Sequence, residues 1–210
     1  MENAQSDFYR QQQELREQRR RNTLISPKAR VRLTGIGGIA LFWISWRWGQ
    51  PAMLQWSLPL GAVISLLGLA MRIWATGWLH KDEVVTVQGP YALTRNPLYL
   101  GTLTLAVGHS LMSGVPLAAL LFPISCFLLY LPTMREEEQF LAAAHGATFE
   151  EYRRRVPLLL PRWPDRNHSQ DLAGSNHKFS FSDLRRCIKG FTANALVIGI
   201  YVFINWSRLT

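Results

Sequence analysis

The segment 89–101 holds residues whose types and order could do chemistry, because polar and basic side chains gather at the predicted start of a helix. We expect Asn96 to cap that helix and Pro97 to lie in its first turn, since asparagine and proline are favoured there. Arg95 and Tyr99 flank this start. The free N–H groups of a helix N-terminus attract anions. The segment is therefore a candidate site for an anionic group of a soluble ligand.

A second group of chemically capable residues is the acidic run at 136–138, which consists of three successive glutamates. We predict that it lies on a helix that continues from a hydrophobic stretch into water and reaches Gly146. Thr148 is then expected to cap a short helix, which Pro157 ends. Three glutamates in a row are also typical of a solvated helix face, so the run by itself does not establish a site.

Five hydrophobic stretches must position these two groups. The chain has 210 residues, of which 48% are hydrophobic, and a formal net charge of +9. A helix that crosses a bilayer needs about 20 mostly apolar residues. The stretches lie at 33–48, 54–79, 98–113, 115–132 and 191–206. We predict an all-α fold, a polytopic membrane helical bundle with about five transmembrane helices; the first, third and fifth stretches, taken singly, are short enough to be core or re-entrant helices.

The distribution of polar residues divides the chain into four parts. We predict a basic juxtamembrane arm at 1–32, a membrane domain of four spans with cytoplasmic helices at 33–162, a polar linker at 163–189 and an additional transmembrane helix at 190–210. Because the linker separates this last helix from the domain, we expect it to be an appendage. It could gate entry from the bilayer or mediate contacts in a homo-oligomer.

The basic residues set the expected orientation in the membrane. Lys and Arg number eight in 1–32, two in 79–97 and ten in 134–189, so 20 of the 23 lie on one side of a five-helix arrangement. Positively charged loops stay in the cytoplasm. We therefore expect the N-terminus, the segment 89–101 and the glutamate run to face the cytoplasm, and the C-terminus to lie outside.

The basic arm favours a membrane surface over nucleic acid as its partner, because glutamates interrupt it and a hydrophobic stretch follows at once. Arg47 and Arg72 lie in or beside hydrophobic stretches, and we expect them to reach toward lipid headgroups. Cys126 and Cys187 lack metal-ligand spacing, so we assign neither a disulfide nor a metal site. The expected partners are membrane lipids, with no nucleic acid and no metal.

The order of several short motifs resembles one family of membrane enzymes. Gly-Pro-Tyr is followed by Arg-Asn-Pro-x-Tyr-x-Gly, an apolar helical hairpin, a Glu-Glu pair, and then Gly146, Tyr152, Pro157 and Pro161. Over about residues 80–162 this order resembles the isoprenylcysteine carboxyl methyltransferase and phospholipid methyltransferase family. The resemblance implies an integral membrane methyltransferase, expected in the bacterial inner membrane with its active site facing the cytoplasm. Its implied reaction moves a methyl group from S-adenosylmethionine to a lipophilic acceptor.

The resemblance also implies which residues hold the cofactor. Donors at the helix start would serve the carboxylate of the methionyl part, and a carboxylate of the Glu-Glu pair would serve its ammonium. A tyrosine ring could face the sulfonium cation. The implied cofactor-binding residues are Tyr91, Arg95, Asn96, Pro97, Tyr99, Leu100, Gly101, Glu137 and Glu138.

Two departures from the family pattern leave the acceptor open among a prenylcysteine-like carboxylate, a phospholipid amine and a small hydrophobic molecule. Many members have histidine where this chain has Asn96, which cannot shuttle a proton. Members that methylate prenylcysteine tend to carry arginine at the position of Thr133, and Arg135 is the nearest basic residue and thus the candidate for substrate contact. A carboxylate acceptor needs no base, whereas an amine or thiol does. No catalytic residue is assigned; His80 at the interface and His109 deep in the bilayer are weak candidates.

Two other functions stay open at this point. Steroid reductases look similar in their C-terminal helices, so a membrane reductase that uses NADPH is one alternative. The cluster at 153–155 is the basic group that could meet its 2′-phosphate, although contact with lipid headgroups is its simpler interpretation. A non-enzymatic membrane scaffold, in which the last helix and the polar linker recruit partners, is the other alternative.

Overall fold

The computed structural model of the chain describes residues 26–79, 86–162 and 194–203, together with residues 10, 17 and 192. Within these ranges every regular element is a helix, which confirms the all-α prediction. The elements are α1 Pro27–Trp48, α2 Pro51–Trp78, the short 3-10 helix Gly89–Ala92, α3 Pro97–Leu111, α4 Pro116–His145, α5 Ala147–Arg155 and α6 Asn194–Phe203.

The first residue of each of the four long helices, α1 to α4, is proline. Proline suits this position because its missing N–H would have no partner there and its fixed φ matches a helix. Glycines with positive φ lie at the two tight junctions, Gly114 (φ +66°) between α3 and α4 and Gly146 (φ +53°) between α4 and α5. The sequence therefore sets the helix boundaries through proline starts and glycine turns.

The predicted cap residue Asn96 is confirmed in its position but not in its capping hydrogen bond, and the predicted cap at Thr148 is wrong. Asn96 occupies the cap position of α3, but its side chain makes no capping hydrogen bond. The Asn96 amide instead donates to the backbone oxygen of Leu158 at 3.1 Å. Helix α5 begins at Ala147 with Gly146 in the cap position, so Thr148 lies within the first turn and cannot cap it. At Asn96 a hydrogen bond to a distant residue replaces the predicted capping bond, and before α5 the turn at Gly146 replaces the predicted cap at Thr148.

Helices α2 and α3 pack most closely, and glycines allow this approach. A β-carbon built on Gly61 would lie 2.6 Å from the backbone oxygen of Gly108, and one built on Gly68 would lie 2.7 Å from the backbone nitrogen of Leu105. Small residues that let backbones approach are typical of helix pairs in membranes. This α2–α3 pair is the framework that fixes the start of α3.

Helix α6 is part of the core, which corrects the expectation that the last helix is an appendage. Ile198 and Tyr201 are 7% and 3% exposed, and they pack in one buried cluster with Leu58 of α2 and Met112, which follows α3. The Tyr201 ring also contacts the ring of Phe42 on α1, edge to face, with centroids 5.6 Å apart. Burial of this aromatic face anchors α6 against three other elements.

Large apolar side chains lie exposed along the outer faces of the helices. Ile39 of α1 is 72% exposed, Trp56 of α2 80% and Leu117 of α4 64%. Soluble proteins rarely expose extended apolar surface of this kind. Helices α2 and α4, of 28 and 30 residues, are each long and apolar enough to cross a bilayer. The apolar surface and these two helices favour a membrane protein; the other three predicted spans and the orientation stay predictions.

Several predicted features lie outside the described residues. These are most of the basic arm at 1–32, the interfacial loop that contains His80, the polar linker at 163–189 and Cys187.

Candidate functional site

The start of α3 and the turn before it are held in place by the segment that follows α5. The backbone N–H of Arg95 donates to the oxygen of Pro157 at 2.9 Å. The hydroxyl of Thr94 and the amide of Asn96 both donate to the oxygen of Leu158, at 3.2 and 3.1 Å. These contacts cross more than 60 residues of sequence, and they fix the direction in which α3 leaves the turn.

Tyr152 of α5 anchors the 3-10 helix Gly89–Ala92 through a hydrogen bond. It is 3% exposed, and its hydroxyl donates to the backbone oxygen of Tyr91 at 2.8 Å. Tyr91 itself is 7% exposed. Burial raises the pKa of the Tyr91 phenol above its ordinary value, and the nearby Glu137 carboxylate adds to this rise. Both tyrosines are therefore neutral hydrogen-bonding groups, and Tyr91 is close enough to Glu137 for their charges to interact.

Helix α4 runs past the start of α3 and brings the two groups predicted from sequence together. The Tyr99 hydroxyl donates to Glu137 Oε1 at 3.0 Å. Arg95 Nη1 lies 2.9 Å from Glu138 Oε1, in an ion pair whose side chains are 11% and 16% exposed. We call Arg95, Tyr99, Glu137 and Glu138 the polar cluster. It contains a cation and two carboxylates in a nearly enclosed place at one end of the helix bundle.

One atom of the ion pair keeps unused hydrogen-bonding capacity. Arg95 Nε is buried and has no hydrogen bond within the described part of the chain, whereas Arg95 Nη1 and Glu138 Oε1 contact each other. Burial lowers the pKa of Arg95 from its ordinary value, and the Glu138 carboxylate opposes that change. Buried polar groups in folded proteins are normally bonded. Arg95 Nε can therefore donate to an acceptor on a ligand.

The other predicted cofactor residues have different surroundings. Pro97 is buried and begins α3, while Leu100 is half-buried on the next turn. Gly101 packs against α2, because a β-carbon there would lie 2.6 Å from Arg72 Cγ. The predicted substrate contact Arg135 is exposed. The structure thus brings Arg95, Tyr99 and the two glutamates together, whereas Asn96 donates a hydrogen bond to Leu158 and Gly101 packs against α2.

A cavity of about 640 Å³ lies beside the polar cluster, between α1, α3, α4 and α6. Arg72 and Thr102 line it, and the Arg72 guanidinium donates to the Thr102 hydroxyl. Tyr130 also lines it, and the ring centroids of Tyr130 and Tyr99 are 5.6 Å apart. We call this space the membrane cavity. Sequence reasoning missed it, although an arginine within a hydrophobic stretch is a signal that could have indicated it.

A match to a known protein family covers the part of the chain that contains the polar cluster. Residues 56–148 match the model of a family described as phospholipid methyltransferase. Among curated proteins, the chain is 31% identical over 85 residues to the protein-S-isoprenylcysteine O-methyltransferase of Schizosaccharomyces pombe. This similar region covers 40% of this chain and 36% of that protein. The chain is also 37% identical over 81 residues to methanethiol S-methyltransferase 2 of Bradyrhizobium diazoefficiens, and that region covers 39% of this chain and 30% of that protein.

A further relative is named as a metal-resistance protein and not as a methyltransferase. The chain is 31% identical over 113 residues to the cobalt-zinc-cadmium resistance protein CzcN of Cupriavidus metallidurans, which covers 51% of this chain and 52% of that protein. The chain therefore spans about half of the length of this relative and less of the two methyltransferases. No solved structure matches it.

Proposed function

We propose that this chain, which matches the phospholipid methyltransferase family over residues 56–148 and resembles isoprenylcysteine methyltransferases, transfers a methyl group from S-adenosylmethionine to a lipophilic acceptor. The matched residues 56–148 include α3, α4 and thus the whole polar cluster. The relatives named as methyltransferases act on oxygen in one case and on sulfur in another. The family thus accommodates different acceptors, and the acceptor here is a separate proposal.

The observation that carries the proposal is the pairing inside the polar cluster. The methionyl end of S-adenosylmethionine has a carboxylate and an ammonium, and the Arg95–Glu138 pair offers a cation and an anion 2.9 Å apart, with Arg95 Nε still able to donate a hydrogen bond. Charge-assisted hydrogen bonds of this kind are about twice as strong as neutral ones. We assign the ligand carboxylate to Arg95 and the ligand ammonium to Glu138.

Tyr99 and Tyr91 have supporting roles in this proposal. Tyr99 holds Glu137 through its hydroxyl, which orients that carboxylate toward the cluster. The faces of the two phenol rings can stabilise the sulfonium cation. When bound, the cofactor supplies a methyl group that is already activated, so the protein has to align an acceptor and exclude water.

Methyl transfer from radiolabelled S-adenosylmethionine tests the proposal. Membranes that contain the chain should incorporate label into lipid or protein, and the purified chain should bind the cofactor. Glu137→Ala and Tyr99→Phe should each weaken binding, because they break the 3.0 Å contact between these residues. Glu151→Ala is the matched control, since Glu151 pairs with Arg155 on α5 and not with the polar cluster. Cofactor binding that is equal in all three variants and the wild type would contradict the site.

The two alternative functions are not favoured by the relatives, which are named O- and S-methyltransferases. Thermal unfolding with each cofactor separates all three. A ligand at about 100 times its dissociation constant adds roughly 2.7 kcal/mol to stability. We expect S-adenosylmethionine to raise the melting temperature. A rise with NADPH alone would favour the reductase, and no rise with either would favour the scaffold.

A further inference from the structure

Tyr99 of α3 contacts α4 at two points that lie two helical turns apart. Its hydroxyl donates to Glu137 Oε1 at 3.0 Å. Its ring lies against the ring of Tyr130, with centroids 5.6 Å apart and ring planes inclined by 48°. Tyr130 and Glu137 are seven residues apart, so they lie on the same face of α4. The orientation of the Tyr99 ring therefore depends on Tyr130 as well as on Glu137.

A proline lies between these two contact points. Pro132 is inside α4, and because proline has no N–H it cannot donate to the backbone oxygen of Leu128. A helix that lacks a backbone hydrogen bond bends more easily at that place. The α4 backbone by itself therefore does not fix Glu137 relative to Tyr130, and side-chain contacts with other helices contribute to holding both.

The Tyr130 hydroxyl is held by α1. Its oxygen lies 3.0 Å from the hydroxyl oxygen of Thr34. The Thr34 hydroxyl donates its one proton to the backbone oxygen of Arg30 at 2.9 Å, so in its contact with Tyr130 it can only accept. Tyr130 therefore donates to Thr34, and the backbone of α1 ends this chain of hydrogen bonds.

The part of α1 that holds Tyr130 is fixed in the fold. Ser26 caps the start of the helix with its side chain. Further along, α1 packs closely on α4, since a β-carbon built on Gly37 would lie 2.8 Å from the Phe122 ring. All of α1 precedes the family match at 56–148. The hydrogen bond from Tyr130 thus links the polar cluster to a helix that the match does not include.

We propose that Thr34 and Tyr130 are positioning residues that orient the Tyr99 ring toward the sulfonium group of the cofactor. This proposal rests on the proposed function. Neither residue contacts the cofactor in it, because α1 fixes the Tyr130 hydroxyl and Tyr130 in turn fixes the Tyr99 ring. A cation is attracted to an aromatic ring when it lies over the face of the ring, within about 6 Å of the centroid. A tilted Tyr99 ring therefore loses part of this attraction.

The charge on sulfur gives this role a distinct signature. S-adenosylmethionine has a sulfonium cation, whereas S-adenosylhomocysteine, the product without the methyl group, has a neutral thioether. Both have the same methionyl carboxylate and ammonium, so the contacts proposed for Arg95 and Glu138 are common to both. A change in the orientation of the Tyr99 ring should weaken binding of the cation selectively, whereas a general loss of structure would weaken binding of both ligands.

Equilibrium binding of both ligands to the purified full-length chain in detergent tests the proposal. Tyr130→Phe keeps the ring and removes the hydroxyl that donates to Thr34. We expect its affinity for S-adenosylmethionine to fall roughly three- to tenfold, within the range of a cation–π contact, and its affinity for S-adenosylhomocysteine to stay within about twofold of the wild type. Equal weakening of both ligands, or no change in either, would overturn the proposal.

The Thr34 side of the contact has matched variants. Thr34→Val keeps the shape of the side chain and removes the acceptor, so it should reproduce the selective loss, whereas Thr34→Ser keeps a hydroxyl and should bind both ligands like the wild type. Thr104→Val is the control, because Thr104 on α3 makes the same kind of bond within its helix, to the backbone oxygen of Leu100 at 2.9 Å. A selective loss in Thr104→Val, or none in Thr34→Val, would contradict the assignment.

The double variant of Thr34→Val and Tyr130→Phe shows whether the two side chains act through one hydrogen bond. If they do, the double variant should lose no more affinity for S-adenosylmethionine than either single variant. Losses that add would overturn the proposal.

The same samples separate this proposal from the proposed function. Wild-type protein that binds neither ligand would contradict the proposed function and, with it, the positioning role. Wild-type protein that binds S-adenosylmethionine no better than its Thr34→Val and Tyr130→Phe variants would overturn the positioning role alone.

Discussion

The polar cluster and the membrane cavity lie side by side, but they are built in different ways. In the polar cluster, charged side chains from α3 and α4 pair with one another, and backbone oxygens of the segment after α5 fix the turn that carries them. In the cavity, glycines and apolar side chains leave a space, and Arg72 is the one arginine among the described residues that line it. The difference teaches that paired charges fill the polar cluster, whereas small residues keep the cavity open.

The shared framework gives the largest expected effect. Gly108→Val should prevent stable folding, because a β-carbon on Gly108 would lie 2.6 Å from the backbone oxygen of Gly61 and force α2 and α3 apart. Both regions should be lost together. The measurement is the yield of monodisperse protein in detergent, with Gly199→Val as control because nothing lies within 4 Å of a β-carbon built on Gly199. Normal yield of Gly108→Val would show that the two regions do not depend on this contact.

A substitution within the polar cluster tests that region by itself. Arg95→Gln removes a cation that is 11% exposed and pairs with Glu138. Loss of a hydrogen bond to a charged group costs about 1.5–3 kcal/mol, so the affinity for S-adenosylmethionine should fall by roughly 10- to 100-fold. Calorimetry measures this affinity, and Arg154→Gln on the exposed face of α5 is the control. An affinity of Arg95→Gln equal to that of the wild type would contradict the role of the polar cluster.

A smaller effect on stability is expected from a change at Tyr152, which anchors the 3-10 helix to α5. Tyr152→Phe removes the 2.8 Å hydrogen bond to the backbone oxygen of Tyr91 and leaves that oxygen without this donor. The cost should be about 1 kcal/mol in the free energy of unfolding, which for a chain of this size lowers the melting temperature by roughly 2–4 °C. Thermal unfolding in detergent measures it. Cofactor affinity should fall only severalfold, and an unchanged melting temperature would show that this bond does not hold the turn.

The sequence predicted the polar cluster better than the cavity, for a physical reason. Arg95, Tyr99, Glu137 and Glu138 were expected from motif order, and the intervening hairpin of α3 and α4 brings them together. Helix boundaries were also predictable, because proline and glycine act locally.

The predictions failed where contacts distant in sequence compete with local preference. Asn96 is of a residue type that favours capping, but its side-chain amide donates to the backbone oxygen of Leu158 instead. Helix α6 was expected to be an appendage, because nothing in its own sequence shows that Tyr201 packs on His109 and Phe42. The cavity likewise depends on space between four helices, which no single stretch of sequence describes.

Equilibrium binding of radiolabelled S-adenosylmethionine to Glu138→Gln and Glu151→Gln tests the central claim most directly. The two variants remove the same charge, but Glu138 makes the 2.9 Å ion pair with Arg95, whereas Glu151 pairs with Arg155 on α5. If the polar cluster holds the methionyl ammonium, Glu138→Gln should weaken binding at least tenfold, and Glu151→Gln should bind within twofold of the wild type. Equal affinities in the two variants, whether both weakened or both unchanged, would contradict the account.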